Sequence, residues 1–217
     1  MDAGLTMGEQ IVLLGLDQED GTPREQLRVG CAVAAAPLLQ LVLSGDLVTR
    51  DGGLVASDRP PPEEPLASAL VRQVRERPAA EPQAWLLAVR DQAVTAAYAG
   101  LLSKGLVRKE GRKLLGAFGS YRYPVTDPSV PEALRGELSA TVLDRARPTA
   151  ATAELITLLH HAGLHSLALP DADAAAIGPR MAEVAAAPGP AEKVGAAVSA
   201  ALAAMAVFLA AVPGMTA

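Results

Sequence analysis

The apolar positions of this chain fall into long blocks at helical spacing, cut by short polar pieces rich in proline and glycine. Thr6 followed by Glu9 has the spacing of a capping box and predicts a helix through about Leu16. Its apolar residues, Ile11, Val12, Leu13, Leu14 and Leu16, are almost unbroken, so that helix is expected to be buried all round. After the turn DQEDGTP a second helix is predicted over 25–44, with Pro37 kinking or splitting it and Gly45 as its stop. LVTRDGGLVASD then reads as two short strands around Asp51-Gly52-Gly53, a hairpin signal. Residues 58–65, DRPPPEEP, predict an internal proline-rich loop in which Glu63 and Glu64 are solvated charges. Helices follow over 66–77, with Arg72 and Arg75 on the wet side, and over 83–104, where Trp85, Leu86 and Val89 form a core-facing stripe. Residues 107–127 predict a second hairpin with a longer, glycine-punctuated tip. Four further helices, over 131–146, 150–162, 171–187 and 191–212, complete the pattern, with Asp171 and Asp173 at N-cap positions. The expected fold is mainly α: one compact domain over 1–217, a helical bundle with two short β-hairpins, the second projecting.

Composition agrees. Half of the chain is hydrophobic, much of it alanine, while aromatic residues make up only 3%. That balance favours helix over sheet. A single cysteine, Cys31, rules out an intrachain disulfide and suits a reducing compartment. Cys31 lies in the apolar run VGCAVAAAPLL and is read as a small buried hydrophobe. The N-terminal MDAGLTMGEQ has neither a basic start nor an apolar run, which argues against export and for a cytoplasmic location. From 194 to 212 no charged residue occurs, but nine of those nineteen residues are alanine. Alanine gains little from leaving water, so a buried helix is expected there rather than a membrane span.

Signatures of catalysis are missing. The chain has no GxGxxG, GxxxxGK[ST], GxSxG or HExxH, and no carboxylate pair with acid–base spacing. A non-enzymatic protein without cofactors is expected. The histidines, His160, His161 and His165, cluster in LLHHAGLHSL, where a structural role at a helix end is expected and no metal is assigned.

Charge changes this picture at one place. Phe118, Tyr121 and Tyr123, half of the six aromatic residues, share one short window. Six basic residues (Lys104, Arg108, Lys109, Arg112, Lys113 and Arg122) surround it, against one acid, Glu110. The segment carries about +5 in a chain of formal charge −5. Leu114, Leu115, Phe118, Tyr121 and Tyr123 are therefore the candidate membrane or oligomer contacts. Arg108, Lys109, Arg112, Lys113 and Arg122 are the candidate basic surface facing an anionic membrane. An acidic chain overall argues against nucleic acid as a general partner.

These segments resemble the Golgi phosphoprotein 3 family, including its bacterial, chiefly actinobacterial, relatives. The likeness rests on LTMGEQIVLLGLDQEDG, on LQLVLSGDLV, and on LLSKGLVRKE leading into KLLGAFGSYRYPVTDP, and it spans nearly the whole chain. It implies a helical, peripheral membrane protein that is not an enzyme. Eukaryotic members bind phosphatidylinositol 4-phosphate and act as adaptors for glycosyltransferase cargo. KLLGAFGSYRY resembles the family's hydrophobic hairpin, which serves insertion or oligomerisation, so a homo-oligomer through the hairpin is implied as well. The family's headgroup residues, a tryptophan and three arginines, align here with Glu25, Ala34, Asp91 and Val94. Neighbouring Arg24, Arg28 and Arg90 are the candidates for a rearranged anion site. Two other readings stand beside this one. LLSKGLVRKEG before a basic hairpin also fits a winged-helix-like DNA-binding regulator, although the preceding helix offers few side chains to read bases. A purely structural oligomer is the third.

Overall fold

The computed structural model describes residues 4–50, 53–77, 82–111, 121–194, 196–197 and 199–200. At its centre is α1 (Met7–Leu14), whose capping box forms as expected: Glu9 N donates to Thr6 Oγ1 at 3.3 Å, and Thr6 N donates to Glu9 Oε2 at 2.7 Å. Ile11, Val12, Leu13 and Leu14 are fully buried. Helix α2 (Gln26–Leu43) runs antiparallel to α1, and α4 (Pro82–Ser103) lies against both. Small residues let these helices approach closely. A methyl group at Gly8 would meet Val33 and Ala97 at ordinary contact distance, and one at Gly15 would press on Val29. Pro37 lies inside α2 without splitting it. The apolar faces buried along α2 offset the roughly 3 kcal/mol that an interior proline costs a helix.

β1 (Leu47–Arg50) and β2 (Gly53–Ala56) pair antiparallel with Leu47 opposite Ala56 and Arg50 opposite Gly53, as the hairpin signal predicts. Their turn, Asp51-Gly52, lies outside the described residues. Leu47 and Leu54 point into the core. The 58–65 loop leads into α3 (Pro65–Glu76). Glu64 is not merely solvated, because its carboxylate caps α3 by accepting from Leu66 N at 3.0 Å and Ala67 N at 2.6 Å. Arg75 is exposed yet ties the loop down through the carbonyls of Ser57 and Arg59. Trp85 is buried as its stripe predicts.

The second hairpin is only partly regular. Among the described residues its arms pair antiparallel in one register, through Thr126 N to Leu106 O, Arg108 N to Pro124 O and the exchange between Glu110 and Arg122, but as isolated bridges at Val107–Val125 and Glu110–Arg122 rather than as continuous strands. Pro124 has no N–H to donate, and Tyr123 N donates instead to Gly21 O at 2.8 Å. The two arms are thus antiparallel, but one arm shares its hydrogen bonding with the N-terminal loop. Residues 112–120, which include the tip, lie outside the described residues, and with them the expectation that it projects.

A second layer packs behind α1. It comprises α5 (Ser129–Val142), α6 (Ala150–His161), the short α7 (His165–Ala168) and α8 (Ala174–Ala185), with α6 and α8 in extensive contact. Asp173 caps α8, whereas Asp171 lies outside it, so that helix starts later than predicted. The described parts of 190–200 are helical; 201–217 lie outside the described residues. One described helix, α2, is long and apolar enough to cross a membrane, and more than half of it is buried within the protein.

Each layer is fastened internally by a polar contact. Glu9, 3% exposed, accepts from Lys104 Nζ at 2.5 Å, and Lys104 also donates to Gly4 O at 2.9 Å. Gly100 is required beside them, since a methyl group there would overlap the Glu9 carboxylate. At the other contact, His160 Nδ1 meets His165 Nε2 at 3.0 Å and His161 Nδ1 meets Ser199 Oγ at 3.1 Å. Burial lowers the pKa of all three rings from 6.5. The neighbouring imidazoles add to this at His160, Arg28 adds at His165, and Glu192 opposes it at His161.

Lys104→Met leaves the Glu9 carboxylate buried without its cation and is expected to cost about 2–3 kcal/mol by urea denaturation, below the full penalty because Lys104 is partly exposed. The histidine cluster sets an acid limit. Its rings take up protons more readily in the unfolded chain than in the folded one. The stability they confer is therefore complete above pH 6.5 and is lost as the pH falls below it, toward the folded values. Melting temperature should drop between neutral pH and pH values below 6.5, and less so in His160→Gln/His165→Gln. Equal drops in the two proteins would remove the cluster from this account.

Candidate anion-binding site

Two cavities open beside α1, and their charges separate them. One, of about 540 Å³, lies between the N-terminal end of α1, α2, α3 and α4. Its charged lining residues, among those described, are Glu9, Asp46 and Glu64, all acidic. The other, of about 660 Å³, lies at the C-terminal end of α1 and contains Arg24 and Arg90.

The second cavity is assembled from three parts of the chain. Its floor is α1 and α2, where Val12, Gly15, Val29 and Gly30 pack. Gly30 is closely covered: a methyl group there would lie 3.3 Å from Cδ of Arg90 and would push that side chain by a few tenths of an ångström. The Arg90 stem therefore lies across α2, and the guanidinium emerges at the rim, where Nε donates to Asp91 Oδ1 at 3.1 Å. Arg24 comes from the loop after α1. Its backbone N donates to Gly15 O at 2.8 Å, and Leu16 bridges to Pro23, so the loop folds back against the helix end. Arg24 also sits in the field of Arg135, whose Nε is buried without a hydrogen-bond partner; burial is the first cause of that group's lowered pKa.

The third wall is aromatic. Tyr98 on α4 packs on Tyr123 with ring centroids 4.2 Å apart, and Tyr121 lies beside them. Burial pushes the Tyr98 hydroxyl up to about 12, which keeps it a hydrogen-bond donor at any physiological pH. Tyr123 is shifted the same way, again chiefly by burial. What holds this wall to the rest is Gly21. Its φ is +71°, a conformation that favours glycine, and a methyl group there would lie 2.2 Å from Pro124 N. The Asp20–Arg122 ion pair at 3.3 Å spans the same junction.

The structure sorts the predicted residues. Arg24, Arg90, Tyr121 and Tyr123 meet in one cavity. Arg28 does not join them: it donates to Gly163 O at 3.2 Å and pairs with Glu25, at the far side of α2. Of the basic surface, Arg108 faces Glu110, Arg122 faces Asp20, and Lys109 lies 4.0 Å above the Tyr121 ring. The stem is therefore less bare than a count of its cations suggests. Arg112, Lys113, Leu114, Leu115 and Phe118 lie outside the described residues. Of the family-aligned positions, Asp91 and Val94 line the cavity, Ala34 is buried in the core, and Glu25 starts α2 with φ +46°. Tyr98 was not a sequence candidate, although Arg90, Val94 and Tyr98 recur every four residues on one face of α4.

Gly21→Ala forces both a strained backbone and a clash with backbone atoms that have no rotamer to escape into. It is expected to cost about 2–3 kcal/mol by chemical denaturation. Gly105→Ala supplies the comparison: its φ is +67° but nothing lies within 4 Å, so only the strain remains, about 1 kcal/mol. Equal losses in the two variants would mean that the loop–hairpin contact contributes nothing.

Comparison with known families completes this description. No curated protein matches the chain. The sequence profile described as Golgi phosphoprotein 3 (GPP34) matches residues 7–205, a span that contains all eight named helices and every described lining residue of the second cavity. The chain belongs to the Golgi phosphoprotein 3 family.

Proposed function

We propose that this protein is a non-enzymatic, peripherally membrane-associated adaptor in the cytoplasm that holds anionic lipid headgroups in the cavity between Arg24, Arg90 and the three tyrosines. The observation that supports this most is the convergence of two guanidiniums, from separate segments, on one aromatic-walled cavity. Guanidinium groups suit phosphate oxygens, and tyrosine rings suit the zone where headgroups meet acyl chains. Family membership supports the same reading, since the resemblance implies peripheral lipid-binding proteins that carry protein cargo.

The cavity and the basic stem act together in this reading. Tyr121 and Tyr123 belong to both, because they line the cavity and continue from the cationic segment. Each cation near an anionic surface contributes about 1 kcal/mol, so neither part alone gives secure binding. Added salt should weaken attachment accordingly.

Sedimentation with phosphatidylcholine vesicles doped with an anionic phospholipid tests this. The protein is expected to pellet with the doped vesicles and not with pure phosphatidylcholine. Arg24→Glu/Arg90→Glu should weaken binding by at least about tenfold, two reversed charges at about 1 kcal/mol or more each. Arg112→Glu/Lys113→Glu should weaken it independently. Equal absence from neutral and anionic vesicles would refute the proposal, as would retardation of duplex DNA with no vesicle binding.

A further inference from the structure

Helix α4 is apolar nearly all round, yet one side of it is open to solvent. Over its 22 residues the charged side chains are Arg90 and Asp91, and these two engage each other, Nε to Oδ1 at 3.1 Å. α3, with 12 residues, carries Arg72, Arg75 and Glu76. A helix without a charged face is ordinarily buried. α4 does bury Leu86, Val89, Ala93 and Leu101, but Leu87, Ala88, Ala99 and Leu102 stay exposed. The exposed leucines are placed with respect to the second cavity. At about 100° per residue, Leu87, Asp91, Thr95, Tyr98 and Leu102 share one face of the helix. Asp91, Thr95 and Tyr98 line the cavity, so an exposed leucine lies one turn beyond it at either end. Leu27, on the first turn of α2, is a third exposed leucine and belongs to the lining itself.

We infer that Leu27, Leu87 and Leu102 insert into the acyl boundary of an anionic membrane and hold the cavity against the bilayer, an inference that rests on the lipid-binding reading above. Charge selects this occupant. The leucines border a cavity that contains Arg24 and Arg90, and Lys109 lies 4.0 Å above its Tyr121 wall, so apolar and cationic groups share one surface. That combination suits an anionic interface. Asp91 does not oppose attachment, because it is paired with Arg90. Spacing points the same way. Leu87 and Leu102 are separated by Asp91 and Thr95 on their own face, whereas a stable dimer buries about 800 Å² of closely matched surface per partner. Acyl chains need no matching shape, and each leucine gains from leaving water separately.

An environment-sensitive fluorophore on Leu87→Cys or Leu102→Cys reads the insertion directly, since Cys31 is buried and escapes labelling in the folded chain. With vesicles of phosphatidylcholine doped with phosphatidylserine, both labels should shift to the blue and be quenched by doxyl groups on the acyl chains. A label on Ala176→Cys, exposed on α8, should do neither. Leu87→Ser/Leu102→Ser should lower vesicle affinity about tenfold while leaving its salt dependence unchanged. Arg24→Glu/Arg90→Glu should lower both. Labels at 87 and 102 that keep their solution spectra while the protein pellets with these vesicles overturn the inference, as does undiminished binding by the serine variant. Either result leaves the lipid-binding proposal standing. A blue shift that grows with protein concentration in the absence of lipid, with a doubled mass by light scattering, gives the face to a second copy and overturns the inference as well. Absence from neutral and anionic vesicles alike removes both proposals together.

Discussion

Burying α1 on every side means that its two ends must be satisfied by polar groups from elsewhere in the chain. A helix leaves four N–H groups at its start and four carbonyls at its finish without intrahelical partners. In a buried helix, water does not supply them. At the N-terminal end the solution is ionic. Glu9 closes the capping box on Thr6, and Lys104 arrives from the end of α4 to neutralise the carboxylate. At the C-terminal end the solution is backbone: Gly15 O accepts from Arg24 N, which turns the loop back and presents the Arg24 side chain to the cavity. The same constraint that fixes the fold therefore places one of the two cavity arginines.

The other wall follows from a second close approach. Gly21 lies against the Tyr123–Pro124 peptide, so the loop after α1 and the returning arm of the second hairpin cannot move independently. Tyr123 then packs on Tyr98 of α4, and Arg90, two turns before Tyr98 on that helix, lies across Gly30 of α2. Arg24 and Tyr123 are positioned by backbone contacts, and the Arg90 stem by the gap at Gly30. Such a site is preorganised, with little ordering left to pay for when an anion enters.

Much of this was legible from the residues. The capping box, the buried α1, the first hairpin, the core position of Trp85 and the order of the helices all follow from local pattern. They are set by contacts within a few residues or by simple amphipathicity. Three features were not legible, and two of them depend on a partner distant in sequence. Arg28 and Arg24 look interchangeable along the chain, yet the backbone turns between them, where Glu25 adopts φ +46°, and sends Arg28 toward Gly163. The second hairpin pairs its arms as read, but the returning arm also gives one donor to Gly21 and has none at Pro124, which leaves isolated bridges. Glu64 reads as one of two loop acids, and only the start of α3 at Pro65 makes it a cap.

The cavity also shows why a family likeness does not fix a ligand. Of the four positions aligned with the family's headgroup residues, only Asp91 and Val94, on α4, line this cavity, whereas Ala34 is buried in the core and Glu25 precedes α2. Asp91 places an anion where the family uses a cation, and Val94 contributes only apolar surface. Arg24 and Arg90, one residue before Glu25 and Asp91 in the chain, restore positive charge from a different direction. A shift of one residue on a helix turns a side chain about 100°. Arg90 therefore points along a different line from Asp91, which lies beside it at 3.1 Å. The charge a cavity presents is thus set by side chains one residue apart, Arg90 beside Asp91, and not by the fold alone.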